Sequence, residues 1–157
     1  HLAGKTVTGL ADGVVIPPFV MPADGNFTLS TAASKVTVGL GYTCKLQTLA
    51  IDTGDGAIQG RLKRIVSIDM KVKDALNLWA GSSFNRLVQI KDLVVGNVSS
   101  MLTGQDSQVV TGLVSGDAKI TADPTYTIPG QFCVQQSDPV PATVLGLFTM
   151  LEIEASR

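Results

Sequence analysis

Charge is scarce in this chain of 157 residues: 16% of side chains are charged, and 12 basic groups stand against 13 acidic ones. Free-standing nucleic-acid binders carry a basic surplus, so a formal net charge of −1 argues against that class. Histidine is scarcer still. The one present, His1, is terminal and reads as a fragment end or tag remnant rather than a general base. With no internal histidine, Ser-His-Asp and Cys-His catalysis lack their usual base. Two cysteines, Cys44 and Cys133, are too few for a framework of several disulfides. Their spacing excludes a CxxC motif, and both are expected as free buried thiols, Cys being among the most buried residue types. A zinc site would have to combine these two with carboxylates, which is poor ligand chemistry. Aromatics make up 5%, and Trp79, Phe84 and Tyr126 are too scattered to stack successive bases. They are expected in the core. There is no apolar run of about 18 residues and no basic-then-apolar leader, so neither a transmembrane span nor a signal peptide is predicted.

What the chain does have is apolar surface and strand signals. It is 45% hydrophobic with a mean hydropathy of +0.30, apolar enough that neighbouring molecules are expected to cover part of it. Its length suits a single domain, one that buries roughly 68–70% of its unfolded surface. The segment Gly60 to Asp74, GRLKRIVSIDMKVKD, alternates. Side chains of a strand point to opposite faces with period two. One face should then carry Leu62, Arg64, Val66, Ile68, Met70 and Val72, burying Val66 to Val72, with Lys71 and Lys73 left in solvent.

Further strands are expected at 5–10 and 14–16 around the turn Ala11-Asp12-Gly13, where glycine takes positive φ at little cost. Pro17-Pro18 and Pro22 should make continued pairing on both edges difficult. Segments 27–30 and 35–40 read as a second pair, with Val36, Val38 and Leu40 on one face. An extended 42–51 and strands at 88–90, 109–114, 119–121, 132–136 and 143–153 complete the set. The only trace of helix lies at 74–79. Turns recur every 8–12 residues, the spacing of an all-β barrel or sandwich. The expected fold is therefore all-β: an antiparallel β-barrel or β-sandwich with little or no helix, as one domain over 1–157.

Three stretches carry a family resemblance. They are Val38-Gly39-Leu40-Gly41-Tyr42, the basic strand beginning at Gly60, and a closing strand with Gln136, Asp138, Pro139, Pro141, Thr143, Val144, Leu145 and Leu147. The opening Leu2-Ala3-Gly4-Lys5-Thr6-Val7 with Ala11-Asp12-Gly13 belongs with them. Together they resemble the tail nozzle proteins (tail tubular protein B) of short-tailed bacteriophages. Gly41 stands where that family usually has proline, and Cys44 matches no functional position of the family. The opening region, 1–35, also resembles the small barrel domain that precedes the first catalytic-cysteine half of ubiquitin-activating enzymes. His1 at one end and Ala155-Ser156-Arg157 at the other are expected of a piece of a longer tail protein.

The resemblance implies a non-enzymatic structural component of the virion: part of a ring, sixfold in the family, whose wall surrounds the DNA ejection channel. Its implied partners are other copies of itself, neighbouring tail and adaptor proteins, and duplex DNA passing transiently and without sequence specificity. It implies no cofactor, no catalytic or metal-binding residue, and no membrane insertion by this segment. The loops 52–60 and 99–107 are expected to contact other subunits or tail fibres.

Arg61, Lys63, Arg64, Lys71 and Lys73 are the one charge concentration with functional promise. They are candidate channel or interface contacts, expected to be solvated or at a rim. Lysines on an exposed strand edge also discourage unwanted pairing, which is the alternative reading. Asp52-Thr53-Gly54-Asp55-Gly56 lacks the later acceptors of a calcium loop and the second carboxylate of an aspartic protease, and is read as a hairpin loop. The alternative function is a carbohydrate- or host-receptor-binding β module. That reading requires an exposed cluster of aromatics with polar neighbours in one groove, for which 5% aromatics and one tryptophan offer little, whereas a ring subunit requires broad apolar flanks.

Overall fold

The computed structural model describes residues 1–51, 60–90, 93–94, 113–121 and 125–154. Among these there is no helix, and eleven strands form three antiparallel sheets. The first sheet has the order β2-β1-β3, with β1 (Thr6–Ala11), β2 (Val14–Val20) and β3 (Val36–Leu40). The second is β4-β10-β6-β7, with β4 (Cys44–Gln47), β6 (Trp79–Ser83), β7 (Arg86–Gln89) and β10 (Cys133–Gln136). The third is β11-β5-β9-β8, with β5 (Lys63–Ala75), β8 (Leu93–Val94), β9 (Val114–Thr121) and β11 (Thr143–Ile153). The second and third sheets share one core. Ile65, Ile68, Met70 and Val72 of β5 and Ala118 and Ile120 of β9 meet Ala80 of β6 and Val134 of β10, with Leu78, Ile90 and Phe132 between them. This is sandwich packing, and no sheet closes into a barrel among the described residues. No residue of the first sheet belongs to that core.

The first sheet is organised by one aspartate. Asp12 and Gly13 both take positive φ, 48° and 86°, as a tight two-residue hairpin turn requires. The Asp12 carboxylate accepts the backbone N–H groups of Ser34 and Lys35, each at 2.8 Å. Its own N–H donates to the Lys35 carbonyl at 2.9 Å. These bonds deliver β3 to the open side of β1 in the register Ala11↔Val36 to Val7↔Leu40. The pair expected between 27–30 and 35–40 is therefore not formed: 27–30 is not a strand, and β3 pairs with β1 instead. β2 runs on past Pro17 and Pro18 to Val20. It can do so because it is an edge strand and its register shifts opposite Thr8, whose Oγ1 donates to the Ile16 carbonyl at 2.8 Å. Gly9 has no room for a side chain against β3: a Cβ there would lie 2.1 Å from the Thr37 carbonyl oxygen.

The long strand β5 departs from strict alternation at one residue. Ser67 pairs with Met150 and Ile65 with Leu151, so Val66 is an extra residue, a β-bulge. From Ile68 to Lys73 the even positions are buried and the odd ones exposed, as the pattern predicts; before the bulge the parity reverses. Ile65 and Lys63 point inward, while Arg64 and Val66 are half-buried. The expected single face from Leu62 to Val72 is thus two faces joined at Val66. A second bulge, at Leu145, interrupts β11 in the same pairing.

Between β5 and β6 the weak helical signal at 74–79 forms no helix, in keeping with the all-β expectation. Asp74 and Asn77 take φ of 50° and 53°, and the chain turns directly into β6. The Asp74 N–H donates to Ser115 Oγ at 2.9 Å, holding the wide irregularity between β5 and β9. Both cysteines are free. Cys133 is buried as expected, and burial pushes its thiol pKa up against an opposing hydrogen bond from the Phe84 backbone. Cys44, expected to be buried, is exposed, because β4 is the outer strand of its sheet. The three aromatics expected in the core are not there: Trp79 and Tyr126 are exposed and Phe84 is half-buried. In β6 it is Ala80 whose parity faces the core.

Candidate functional site

The five basic residues do not form one patch. Arg61, Lys63 and Arg64 sit where the start of β5 meets the end of β11 and the segment 125–130, and each is committed there. Arg61 Nη2 donates to the Glu154 carbonyl. Arg64 pairs with Glu152, its partner across the ladder, and its guanidinium lies 5.4 Å from the Tyr126 ring centre. Lys63 is 4% exposed. It exchanges backbone hydrogen bonds with Thr127, both at 2.8 Å. Its stem packs on Gly130, where an added Cβ would lie 3.2 Å from Lys63 Cδ, and its Nζ donates to the Ile128 carbonyl at 3.3 Å. Lys63 was expected in solvent and is buried instead, because the Val66 bulge turns its side chain inward.

Lys71 and Lys73 do remain exposed, on the outer face of the third sheet and roughly 20–30 Å along the strand from Arg64. Lys71 faces Asp117 at 3.9 Å, and Asp69 stands opposite Lys119 in the same ladder. Opposite charges set directly across antiparallel strands stabilise the pairing. Exposed pairs of this kind contribute little, about 0–1 kcal/mol. Lys71 and Asp69 are thus matched by opposite charges on β9, while Lys73 stands across from Thr143.

Beside that charged lane lies an apolar one that the candidate set missed. β11 is the outer strand of its sheet, paired on one side only among the described residues, and at eleven residues it spans roughly 35 Å. Leu145, Phe148 and Met150 stand on its outer face with 58%, 66% and 64% of their surface exposed. Val144, Leu147 and Leu151 face the core. The sequence signal was present in the nearly continuous apolar run from Val144 to Leu151. A strand with both faces apolar is either covered on both or waiting for a partner. The first sheet adds Val14 and Val20 on β2 and Val36 and Leu40 on β3, all exposed on its two outer strands.

Chemistry-bearing clusters are absent from the described residues: no group of three His, Cys, Asp or Glu converges as a metal site. A cleft of about 340 Å³ beside Leu2, Met21 and Gly25 holds one carboxylate, Asp24. That carboxylate is engaged by the backbone and side chain of Asn26. No helix of the described residues is long and apolar enough to cross a membrane. The loops 52–60 and 99–107, the Asp52 to Gly56 segment and the start of the strand expected at 109–114 lie outside the described residues, apart from Gly60 at the end of the first loop.

Fold and surface together define an all-β protein whose described residues form three antiparallel sheets, with an apolar strand, β11, at the edge of the third. No protein-family model and no curated protein matches the chain.

Proposed function

We propose that this chain is a non-enzymatic structural component of a phage tail, part of a ring-shaped nozzle wall around the DNA ejection channel. The observation that carries the reading is the β11 edge: a strand of eleven residues, paired on one side only among the described residues, with Leu145, Phe148 and Met150 exposed on it. Soluble monomers rarely leave such an edge open, because it templates pairing with another chain. A wall built of identical subunits covers it by assembly, and obligate interfaces of that kind are large and apolar. The motifs shared with tail nozzle proteins support the same conclusion. Its implied location is the virion, and its partners are further copies and the adjoining tail proteins.

Duplex DNA, in this reading, passes without being gripped. Many phosphate contacts would make transit slow and salt-sensitive. The balanced pairs Lys71–Asp117 and Asp69–Lys119, with Arg61 and Arg64 held internally, keep such contacts few.

The experiment is native mass spectrometry and light scattering over a range of concentrations, comparing the chain with a Phe148→Lys, Met150→Lys variant. The wild type should self-associate, and the variant should stay monomeric with an unchanged circular dichroism spectrum. A wild type that is monomeric throughout, or a variant that associates equally well, rejects the assignment of this edge. Tight sequence-specific DNA binding at physiological salt rejects the wall function itself.

A further inference from the structure

The outer face of the second sheet carries a different kind of surface. In β6, Ala80 points into the core and is fully buried, so Trp79 points the other way, with 38% of its surface exposed. The register sets Gln135 of β10 directly beside it on one side and Gln89 of β7 on the other. Lys45 of β4 follows beyond Gln135. Directly paired residues of antiparallel strands share a face, so Lys45, Gln135, Trp79 and Gln89 form one row across all four strands.

The polar groups around the indole are held in place by one another. Gln89 Nε2 donates to Asn77 Oδ1 at 3.3 Å, and Asn77 Nδ2 donates to Asp138 Oδ2 at 2.7 Å. On the other flank, Gln135 Nε2 donates to Ser137 Oγ at 3.2 Å, next in the chain to Asp138. Two short hydrogen-bonded chains thus hold Gln89 and Gln135 on either side of an exposed indole. A carboxamide offers two N–H donors and a carbonyl acceptor with two lone pairs. Gln89 and Gln135 each commit one N–H to the network, which leaves a donor and an acceptor on either side of the ring.

We infer that this face binds a neutral saccharide. A pyranose presents an apolar C–H face, which suits an indole, and a rim of hydroxyls that each donate and accept, which suits a carboxamide. A small number of fixed polar groups beside an apolar surface sets the orientation of a small ligand. Charge decides between a sugar and the other planar ligand of an exposed tryptophan, a nucleobase. Single-stranded nucleic acid needs a basic groove beside the aromatic. Here the one cation of the row, Lys45, is drawn over the Phe84 ring at 5.0 Å, and the Asp138 carboxylate is engaged by Asn77. This inference does not rest on the nozzle reading. It uses the face of the second sheet, whereas the wall contact uses the edge of the third.

Trp79 is the only tryptophan in the chain, so tryptophan fluorescence of the whole protein reports this face alone. Titrations with cellotetraose, maltotetraose and triacetylchitotriose should give a saturable change in emission for at least one of them. The Gln89→Ala, Gln135→Ala variant removes the two carboxamides that flank the ring. With an unchanged circular dichroism spectrum, it should bind roughly tenfold more weakly or worse. Three outcomes overturn the inference: no saccharide changes the emission, the double variant binds as the wild type does, or oligothymidylate saturates the signal while the sugars do not.

Discussion

Residue identity misleads most at Lys63. A lysine on a polar stretch reads as solvated, yet this one is buried, its stem on Gly130 and its ammonium on the Ile128 carbonyl. Long cationic side chains cover apolar surface with their methylenes while the head finds a polar exit. Lys63→Ala should therefore destabilise the fold by about 1–3 kcal/mol, chiefly through lost packing. Lys63→Met, which keeps the stem, should cost about 1 kcal/mol or less. Urea denaturation of the two variants measures the difference; equal losses would show that the hydrogen bond, not the stem, holds the site. Asp12 gives a prediction in pH. The N–H groups of Ser34 and Lys35 hold its pKa below the ordinary 3.8. A carboxylate with a depressed folded-state pKa stabilises the fold fully above its unfolded value and loses that contribution as the pH falls through the folded one. The β1–β3 junction should accordingly hold at neutral pH and loosen only below about pH 3.8. NMR titration should place the Asp12 midpoint below that value, and Asp12→Asn should remove the acid-range loss of β3 amide protection. A midpoint at or above 3.8 would mean that these bonds do not form in solution.

Among the elements, β5 shows how one residue resets a strand. The bulge at Val66 lets Ile65 and Lys63 point inward while Ile68, Met70 and Val72 do the same beyond it. Deleting Val66 leaves Ile65 next to Ser67, and the two then alternate without a bulge, every side chain keeping its face. Deleting Asp69 instead shifts the chain by one position at a regular site and turns one half of the strand inside out. The expected outcome is a folded Val66 deletion and an unfolded Asp69 deletion, read by circular dichroism and thermal melting. A folded Asp69 deletion would refute the register. Ile65 was the available clue, a lone branched apolar residue within the polar parity. Read strictly, period two had no place for it.

At the scale of the whole molecule, the buried apolar residues among those described lie in two regions. Val7 and Met21 are buried within the region of the first sheet, and neither contributes to the core shared by the second and third. An unpaired buried carboxylate is costly wherever it is placed, so its site decides what unfolds. Ile68→Asp should abolish protection from hydrogen exchange throughout β5, β9, β6 and β10. Val7→Asp should expose the amides of β1 to β3 and leave those of β5 and β9 protected. Global unfolding by Val7→Asp would show one cooperative unit in place of two.

The all-β class followed from the sequence because it depends on local properties: period-two patterning, Asp-Gly turns and the lack of a helical period. Local chemistry also placed the Asp12-Gly13 hairpin and β11, whose bounds match the expected 143–153. Only the tertiary structure decided what depends on which strands become neighbours. It paired β3 with β1, left β11 at an edge, buried Lys63, and set Trp79 between two glutamines. A strand's own residues state which of its two faces is apolar. Which face is covered, and which edge stays open, is set by partners distant in sequence.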